Sequence, residues 1–194
     1  MSQLLGIPHQ PVALDLPAPA RALVADAEAR IKAFGARPAE QRVPAFVASN
    51  PGLVWHALRR IRDEGLAPGN RFIEWGSGFG IVTGLAALAG FAARGIEIAP
   101  ALIAESRRLL ADHRLPAVVE TGSYLPPGIY TDEIRAERFP PADADVVYVY
   151  PWPAEARLVR EVFRRFGRDG ALLVSFSGGV GLEIHRRVAT DAPA

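Results

Sequence analysis

The chain has 194 residues, a formal net charge of +1 and no cysteine. This length suits one domain with a single core. The absence of cysteine excludes disulfides, thiolate metal sites and a cysteine nucleophile. The near-neutral charge gives no reason to expect strong electrostatic attraction to nucleic acid or to an acidic membrane.

Histidine spacing and hydropathy narrow the class of protein further. Residues 1–10 lack a basic start followed by an apolar core, and no apolar run reaches the roughly 18 residues needed to cross a bilayer. We therefore expect a cytoplasmic protein without a signal peptide or a membrane span. We also predict no histidine-based metal site, because the four histidines are far apart and lack ligand spacing. They are His9, His56, His113 and His185.

An extended arm followed by an amphipathic helix is predicted at the start of the chain. Residues 1–17 are rich in proline, which disfavours the interior of a helix. Apolar residues at helical spacing predict a helix over Ala18–Phe34, and Gly35 is a stop signal. The predicted inner face contains Leu23, Ala27, Ile31 and Phe34.

A second helix is predicted after a connecting loop over residues 36–49. Asn50 followed by Pro51 is typical of a helix N-cap and first turn. We expect this helix to end near Gly65. Its predicted inward residues are Val54, Leu58 and Ile61.

Short β-type runs alternate with helical stretches from residue 70 onward. This alternation predicts an α/β fold, a doubly wound and mostly parallel sheet with helices on both faces. We therefore predict an N-terminal extension over residues 1–65 and an α/β domain over 66–194, as one structural unit with a truncated C-terminal end. The predicted strands are Arg71–Trp75, Ala92–Ile98, Ala117–Thr121, Asp145–Tyr150 and Ala171–Phe176. The predicted helices are Ile81–Ala89, Ala101–His113 and Ala154–Phe166.

Three further segments complete the predicted organisation. Residues 126–144, rich in proline and charge, are predicted to form an insertion between the third and fourth strands. Residues 178–181 predict a turn, and Leu182–Ala189 a final antiparallel edge strand. The last helix is expected to turn Leu158, Val162 and Phe166 inward.

The sharpest functional signal is a glycine-rich loop between a predicted strand and a predicted helix. Glycines allow a tight turn and let a ligand approach main-chain N–H groups, while the following helix N-terminus attracts accepting groups. A dinucleotide fingerprint would need its third glycine at Ile81, and a G-K-S/T phosphate loop is absent. The alternative is a tight turn without a ligand. The loop is Glu74-Trp75-Gly76-Ser77-Gly78-Phe79-Gly80.

A carboxylate stands at the end of the next predicted strand, in Gly95-Ile96-Glu97-Ile98. In open α/β sheets, ligands bind outside the carboxyl ends of the strands. A carboxylate in that place can accept hydrogen bonds from both hydroxyls of a ribose. The alternative is a solvated glutamate at a strand end, but the loop and the carboxylate together are more specific than either alone.

With these motifs, residues 72–176 resemble a class I S-adenosylmethionine-dependent methyltransferase. The resemblance implies S-adenosylmethionine as cofactor, with Glu97 at the ribose. The residues implied around the methionine part are Glu74, Gly76, Gly78 and Gly80. Ser77 and Ile98, which are next to these residues in sequence, are predicted as further cofactor-binding residues. The segments Trp75–Val82 and Gly95–Ile98 are further similar to non-SET protein-lysine methyltransferases, which include the histone-modifying group and the mitochondrial enzymes that act on the ATP synthase c-subunit.

The resemblance also implies contacts after the third and fourth strands. Ser123 stands where many members carry an aspartate that bonds the adenine amino group. A hydroxyl can accept that bond, and Tyr124 can pack on the ring. The segment Tyr150-Pro151-Trp152-Pro153 is a distant version of the Asn/Asp-Pro-Pro-aromatic motif, without its amide or acid. Because aromatic faces attract cations by about 0.5–2 kcal/mol, we predict Tyr150 and Trp152 as the catalytic, acceptor-side residues. The alternative for residues 121–124 is a simple turn, and the alternative for residues 150–153 is a rigid packed loop.

Weaker candidates lie outside these motifs. Phe46, Ser49 and Asn50 precede the second helix, where related enzymes close a lid, although capping is the simpler role for Asn50. Trp55 is expected to pack and His56 to lie at the surface. A solvated face is expected for Asp132, Glu133, Arg135, Glu137 and Arg138.

We therefore predict a methyltransferase whose acceptor is a protein side chain or a small molecule, while the net charge argues against bulk nucleic acid. A relative that only binds the cofactor or its demethylated product is an alternative. It is motivated by the 18 residues after Phe176, where typical members place a further helix and two strands. A nicotinamide-dependent dehydrogenase is a third hypothesis, which the glycine spacing opposes.

Overall fold

The computed structural model describes residues 2–10, 12–38, 49–124, 143–177 and 181–190. The strands in these ranges are β1 (Ser2–Ile7), β2 (Arg71–Trp75), β3 (Ala92–Glu97), β4 (Val118–Thr121), β5 (Val146–Val149), β6 (Leu172–Ser177) and β7 (Gly181–Ala189). The helices are α1 (Ala18–Gly35), α2 (Pro51–Asp63), α3 (Ile81–Leu88), α4 (Pro100–Asp112) and α5 (Ala156–Phe166).

One seven-stranded sheet contains all these strands, in the order β1-β7-β6-β5-β2-β3-β4. The pairs from β6 across to β4 are parallel, whereas β7 is antiparallel to both β6 and β1. Because parallel strands end at one edge, the carboxyl ends of β2, β3, β4 and β5 lie together there. The predicted doubly wound, mostly parallel sheet is confirmed.

Helices cover both faces of the sheet, so the parallel strands are apolar on both sides. On one face, Phe72 and Leu172 belong to a core shared with α1, α2, α3 and α4. On the other face, Ile73 and Leu173 pack with residues of α5. This two-sided burial explains why β5, whose four residues are all buried, reads as a continuous apolar run.

The start of α2 confirms the predicted cap. Asn50 Oδ1 accepts hydrogen bonds from the backbone N–H groups of Gly52 and Leu53, at 3.0 and 3.2 Å. Pro51 occupies the first helical position, where its missing N–H costs nothing. A side-chain cap of this kind contributes about 1 kcal/mol.

The prediction for the N-terminal arm was wrong in part. Residues 2–7 are extended, but they form β1, which pairs antiparallel with β7 from Ser2↔Ala189 to Ile7↔Ile184. The predicted last strand therefore exists and is antiparallel, but it is not the edge of the sheet, because β1 lies outside it. The N-terminal strand thus completes the sheet.

The predicted inward face of α5 is confirmed for Val162 and in part for Leu158, which packs against the core, but was wrong for Phe166. Val159, Val162 and Phe163 are buried, whereas Phe166 is exposed and Leu158 is half-buried. Both the predicted and the observed residues have helical spacing. The centre of the observed face is Val159, Val162 and Phe163, which pack against Val147 and Leu173 of the sheet.

Three predicted segments fall wholly or mostly outside the described residues and stay predictions: the loop over 36–49, the insertion over 126–144 and the turn over 178–181. Within the described part of the chain, none of the helices has the length and apolar character required to cross a membrane.

Candidate functional site

The glycine loop after β2 folds as its sequence predicts. Gly76, Gly78 and Gly80 have φ angles of 72°, 53° and 76°, a region that favours glycine. The N–H groups of Gly76 and Ser77 donate to Ile96 O, at 3.0 and 2.9 Å. These two bonds hold the loop against the carboxyl end of β3.

A fourth glycine, Gly95 on β3, makes this close approach possible. A Cβ at Gly95 would lie 2.6 Å from Ser77 Cβ and 2.7 Å from Thr83 Oγ1. The Ser77 hydroxyl is buried there without a hydrogen-bond partner among the described residues. Gly95 stands two residues before Glu97, but this role could not be predicted, because a glycine in a strand does not indicate which segment will pack across it.

The Glu97 carboxylate faces the glycine loop. Its Oε2 accepts from Gly78 N–H at 2.9 Å, and its Oε1 accepts from the N–H groups of Ile98 and Ala99 at 2.8 and 3.0 Å. Glu97 is 8% exposed. Because an ionised carboxylate has about four acceptor positions, Glu97 retains capacity for a ligand hydroxyl beside the three N–H groups.

Glu74 lies on the other side of the loop, at the base of α3. Its Oε2 accepts from Thr83 N–H at 2.7 Å and from Thr83 Oγ1–H at 2.6 Å. Burial raises the pKa of Glu74 to about 8; the Thr83 bonds lower it, and the nearby Glu97 charge raises it. Two carboxyl groups in different environments therefore flank the loop.

The segment after β4 reaches across to β2. Gly122 N–H donates to Glu97 O at 3.0 Å, which places the half-buried Ser123 at the same edge as the loop. The Tyr124 ring stacks on the Trp75 ring with centroids 5.1 Å apart and planes 3° apart. Tyr124 Oη donates to Glu155 Oε2 at 3.0 Å. One face of Tyr124 is thus occupied by protein.

The predicted acceptor residues follow β5, next to the loop's own strand. Tyr150 is half-buried, and its ring lies 4.6 Å from the Phe176 ring at 54°. Trp152 is 49% exposed. Since β5 pairs with β2, Tyr150 stands at the same carboxyl edge as the glycine loop.

Tyr148, inside β5, also belongs to this region, although it is not among the predicted site residues. It is fully buried opposite Glu74, and its hydroxyl donates to Ser49 Oγ at 2.6 Å. An aromatic residue in an apolar strand looks like ordinary core, so the sequence offered no signal. Ser49 itself was singled out beside the second helix.

The remaining candidates are distributed as follows. Trp55 is buried, as expected. The half-buried His56 stacks on His9, with ring centroids 5.2 Å apart, and its Nδ1 accepts from Val12 N–H at 3.3 Å, so the predicted surface position is confirmed only in part. Phe46 and the charged residues over 132–138 lie outside the described residues.

No protein-family model matches the chain, and no curated protein matches it either. Solved structures do. The chain is similar to an RNA methyltransferase from Salinibacter ruber in complex with S-adenosyl-L-homocysteine, at 17% identity and a TM-score of 0.55, over 75% of this chain and 97% of that one. It is also similar to an O-methyltransferase from Bacillus cereus in complex with S-adenosylhomocysteine, at 16% identity and a TM-score of 0.55, over 84% and 68% of the two chains.

A third similar structure is the O-methyltransferase TomG from Streptomyces achromogenes in complex with S-adenosylmethionine, at 15% identity and a TM-score of 0.52, over 83% of this chain and 66% of that one. At such identities the likeness establishes the fold. The chain has the Rossmann-like fold of S-adenosylmethionine-dependent methyltransferases.

Proposed function

We propose that this chain is an S-adenosylmethionine-dependent methyltransferase. One observation carries the proposal: the Glu97 carboxylate, one strand over from the glycine loop, is aimed at the loop's own Gly78 N–H group. Glycines with positive φ angles let a ligand approach main-chain N–H groups. A carboxylate at the end of the next strand can accept hydrogen bonds from ribose hydroxyls, so this arrangement fits an adenosyl ligand. The solved structures with bound S-adenosylmethionine or S-adenosylhomocysteine support the same function.

The residues present fit the cofactor. Glu97 has remaining acceptor capacity for ribose, and the Ser77 hydroxyl is a buried polar group without a partner among the described residues. Gly76 and Gly80 have positive φ angles, which residues with a Cβ rarely adopt, so the tight loop that would face the cofactor requires glycine at both positions. Ser123 would accept from the adenine amino group. When bound, S-adenosylmethionine supplies a methyl group activated by its sulfonium.

The chain's own contribution to transfer is positional. Tyr150 and Trp152 orient the acceptor at the carboxyl edge of the sheet, and orientation of two reactants contributes up to about 7–11 kcal/mol. No strongly basic side chain is required when the acceptor arrives unprotonated. The aromatic faces favour a cationic or electron-poor group beside them.

A protein side chain or a small molecule is the proposed acceptor. The similar structures are described as acting on RNA in one case and as O-methyltransferases in two others, so the fold permits several acceptors. The likeness of Trp75–Val82 to lysine methyltransferases favours a protein side chain, and the net charge of +1 weighs against bulk nucleic acid.

Two alternatives from the sequence stay open to test. The binding-only hypothesis expects cofactor binding without methyl transfer. The dehydrogenase hypothesis expects dinucleotide binding, which the glycine spacing opposes, because the fingerprint needs a glycine at position 81, where Ile81 begins α3.

Calorimetry tests cofactor binding. The chain should bind S-adenosylmethionine and S-adenosylhomocysteine but not NAD. Glu97→Gln should weaken both by at least about tenfold, because its NH₂ group must face a backbone N–H donor. Glu161→Gln, a change at an exposed carboxylate of α5, should bind normally. Binding of NAD, or normal binding by Glu97→Gln, would contradict the proposal.

Radiolabelled methyl transfer into host lysate, separated into protein, nucleic-acid and small-molecule fractions, identifies the acceptor class. Tyr150→Ala combined with Trp152→Ala should keep cofactor affinity and lose transfer. Phe166→Ala, at an exposed aromatic of α5, is the control. Unchanged turnover in the Tyr150 and Trp152 variant would refute their acceptor role.

A further inference from the structure

The side chain of Tyr148 is buried at a position where phenylalanine would suffice for packing. Tyr148 is 1% exposed. Its ring belongs to the core shared by β2, β5, β6 and the helices above them. Its hydroxyl would be costly there without a partner, and it donates to Ser49 Oγ at 2.6 Å. The hydroxyl therefore makes a directional contact that apolar packing does not need.

One end of this contact lies beside the glycine loop. Tyr148 pairs with Glu74 across the β2–β5 register. Burial is the main cause that raises the pKa of Tyr148, the Ser49 bond lowers it, and the charge of Glu74 adds to the rise. The phenol therefore stays protonated and donates at working pH. Glu74 in turn binds Thr83 in the first turn of α3.

The other end lies at the start of α2. Ser49 directly precedes Asn50, whose side chain caps the first turn. From there α2 runs into the core through Val54 and Leu58. A single side-chain hydrogen bond thus connects the beginning of α2 to the middle of the sheet, at a position next to Glu74.

We propose that Tyr148 and Ser49 form a tether that holds the start of α2 beside the glycine loop and so sets the affinity for the S-adenosyl ligand. This inference rests on the proposed function. Tyr148 acts through Ser49 and is a positioning residue. Loss of either hydroxyl leaves the other without its partner and loosens the first turn of α2.

Hydrogen exchange on the ligand-free full chain tests the tether itself. In Tyr148→Phe and in Ser49→Ala, the amides of Gly52, Leu53 and Val54 should exchange about three- to tenfold faster, the effect of one lost hydrogen bond. The double variant should exchange no faster than either single variant, because both changes remove the same bond. Unchanged exchange in the single variants overturns the inference.

Two control variants accompany this experiment. Ser2→Ala removes a hydroxyl that donates to Arg164 O at 2.8 Å on the far edge of the sheet, and it should leave the α2 amides unchanged. Ser49→Thr keeps the hydroxyl and should restore wild-type exchange. Faster exchange in Ser2→Ala would show a general loosening of the fold and would overturn the inference.

Calorimetry with S-adenosylhomocysteine tests the link to the site. Each single variant and the double variant should bind about three- to tenfold more weakly than wild type, and KM for S-adenosylmethionine should rise while kcat changes less than about twofold. Equal affinity of wild type and variants overturns the inference while leaving the proposed function intact. A wild-type chain that fails to bind overturns the proposed function, and the link with it.

Discussion

Glu97 is the last residue of β3 and Glu74 is the next-to-last residue of the neighbouring strand β2, yet the surroundings of their carboxyl groups differ. Glu97 accepts hydrogen bonds from three backbone N–H groups. Glu74 is buried and accepts hydrogen bonds only from Thr83 among the described residues, and burial raises its pKa to about 8. At neutral pH, Glu74 is therefore largely protonated in the ligand-free protein.

Stability should fall with rising pH because of Glu74. An ordinary glutamate titrates near 4.5, whereas folded Glu74 titrates near 8. Between these pH values the folded state holds a proton that the unfolded state has lost. The free energy of unfolding therefore falls by at most about 1.4 kcal/mol for each unit of rising pH. Glu74→Gln should remove this slope, measured by denaturant unfolding at several pH values between 5 and 8.5.

The matched control for this prediction is Glu161→Gln. Interaction with Arg164 lowers the pKa of Glu161, so its titration lies below the tested range, and the variant should keep the wild-type slope. Equal slopes in wild type and Glu74→Gln would show that Glu74 does not titrate as described.

Individual site residues differed in how far the sequence predicted them. The glycines and Glu97 were predictable because a strand end and its following loop are local features. The Tyr148–Ser49 contact was not, because it joins residues 99 positions apart and neither residue differs in type from ordinary core or loop.

At the scale of elements, the loop after β2 packs closely against strand β3 because Gly95 of β3 has no side chain. Gly95→Ala should push Ser77 and Thr83 away, because its Cβ would lie 2.6 Å from Ser77 Cβ. Overpacking of this kind costs about 1–3 kcal/mol. We expect a lower free energy of unfolding and weaker binding of S-adenosylhomocysteine, measured by denaturant unfolding and calorimetry.

Gly6→Ala on β1 provides the comparison, since a Cβ there meets nothing within 4 Å. It should be near neutral in both measurements. If Gly95→Ala were equally neutral, the close crossing of β3 by the loop would not constrain the site.

The helices show what a periodic pattern settles and what it does not. Helix α1 was predicted within one residue of its observed end, because its apolar stripe admits one orientation. Helix α5 was located correctly, but the centre of its inward face was predicted only in part. Leu158, Val162 and Phe166 form one acceptable stripe and Val159, Val162 and Phe163 another, and the sheet beneath selects the second.

At the scale of the whole molecule, the parallel centre of the sheet and the antiparallel strand β7 were predictable, and β1 was not. Alternating strands and helices fix the parallel order through short, right-handed connections. Strand β1 has no such connection to its partner, because it pairs with β7, the last of the described strands. The prolines that follow β1 also weaken the strand signal of its six residues in the sequence.

Removal of residues 1–7 should destabilise the protein. It deletes β1 and uncovers the backbone of β7, together with the apolar contacts of Leu4 and Ile7. We expect a lower Tm and concentration-dependent association, because a free strand edge pairs with other chains. Thermal unfolding and size-exclusion chromatography measure both.

Leu5→Ala is the control, because Leu5 is 47% exposed on the same strand. It should leave the Tm and the elution volume close to wild type. A truncated chain with the wild-type Tm would mean that the β1–β7 pairing contributes nothing to the fold.

The pairing of β1 with β7 also has a consequence for biosynthesis. Strand β1 is synthesised before the other described strands but cannot pair until β7 has been made, whereas β2 and its parallel neighbours can assemble earlier. Contacts between such distant segments slow folding. A nascent chain that stalls before β7 is made would therefore leave one edge of the β6 backbone unpaired.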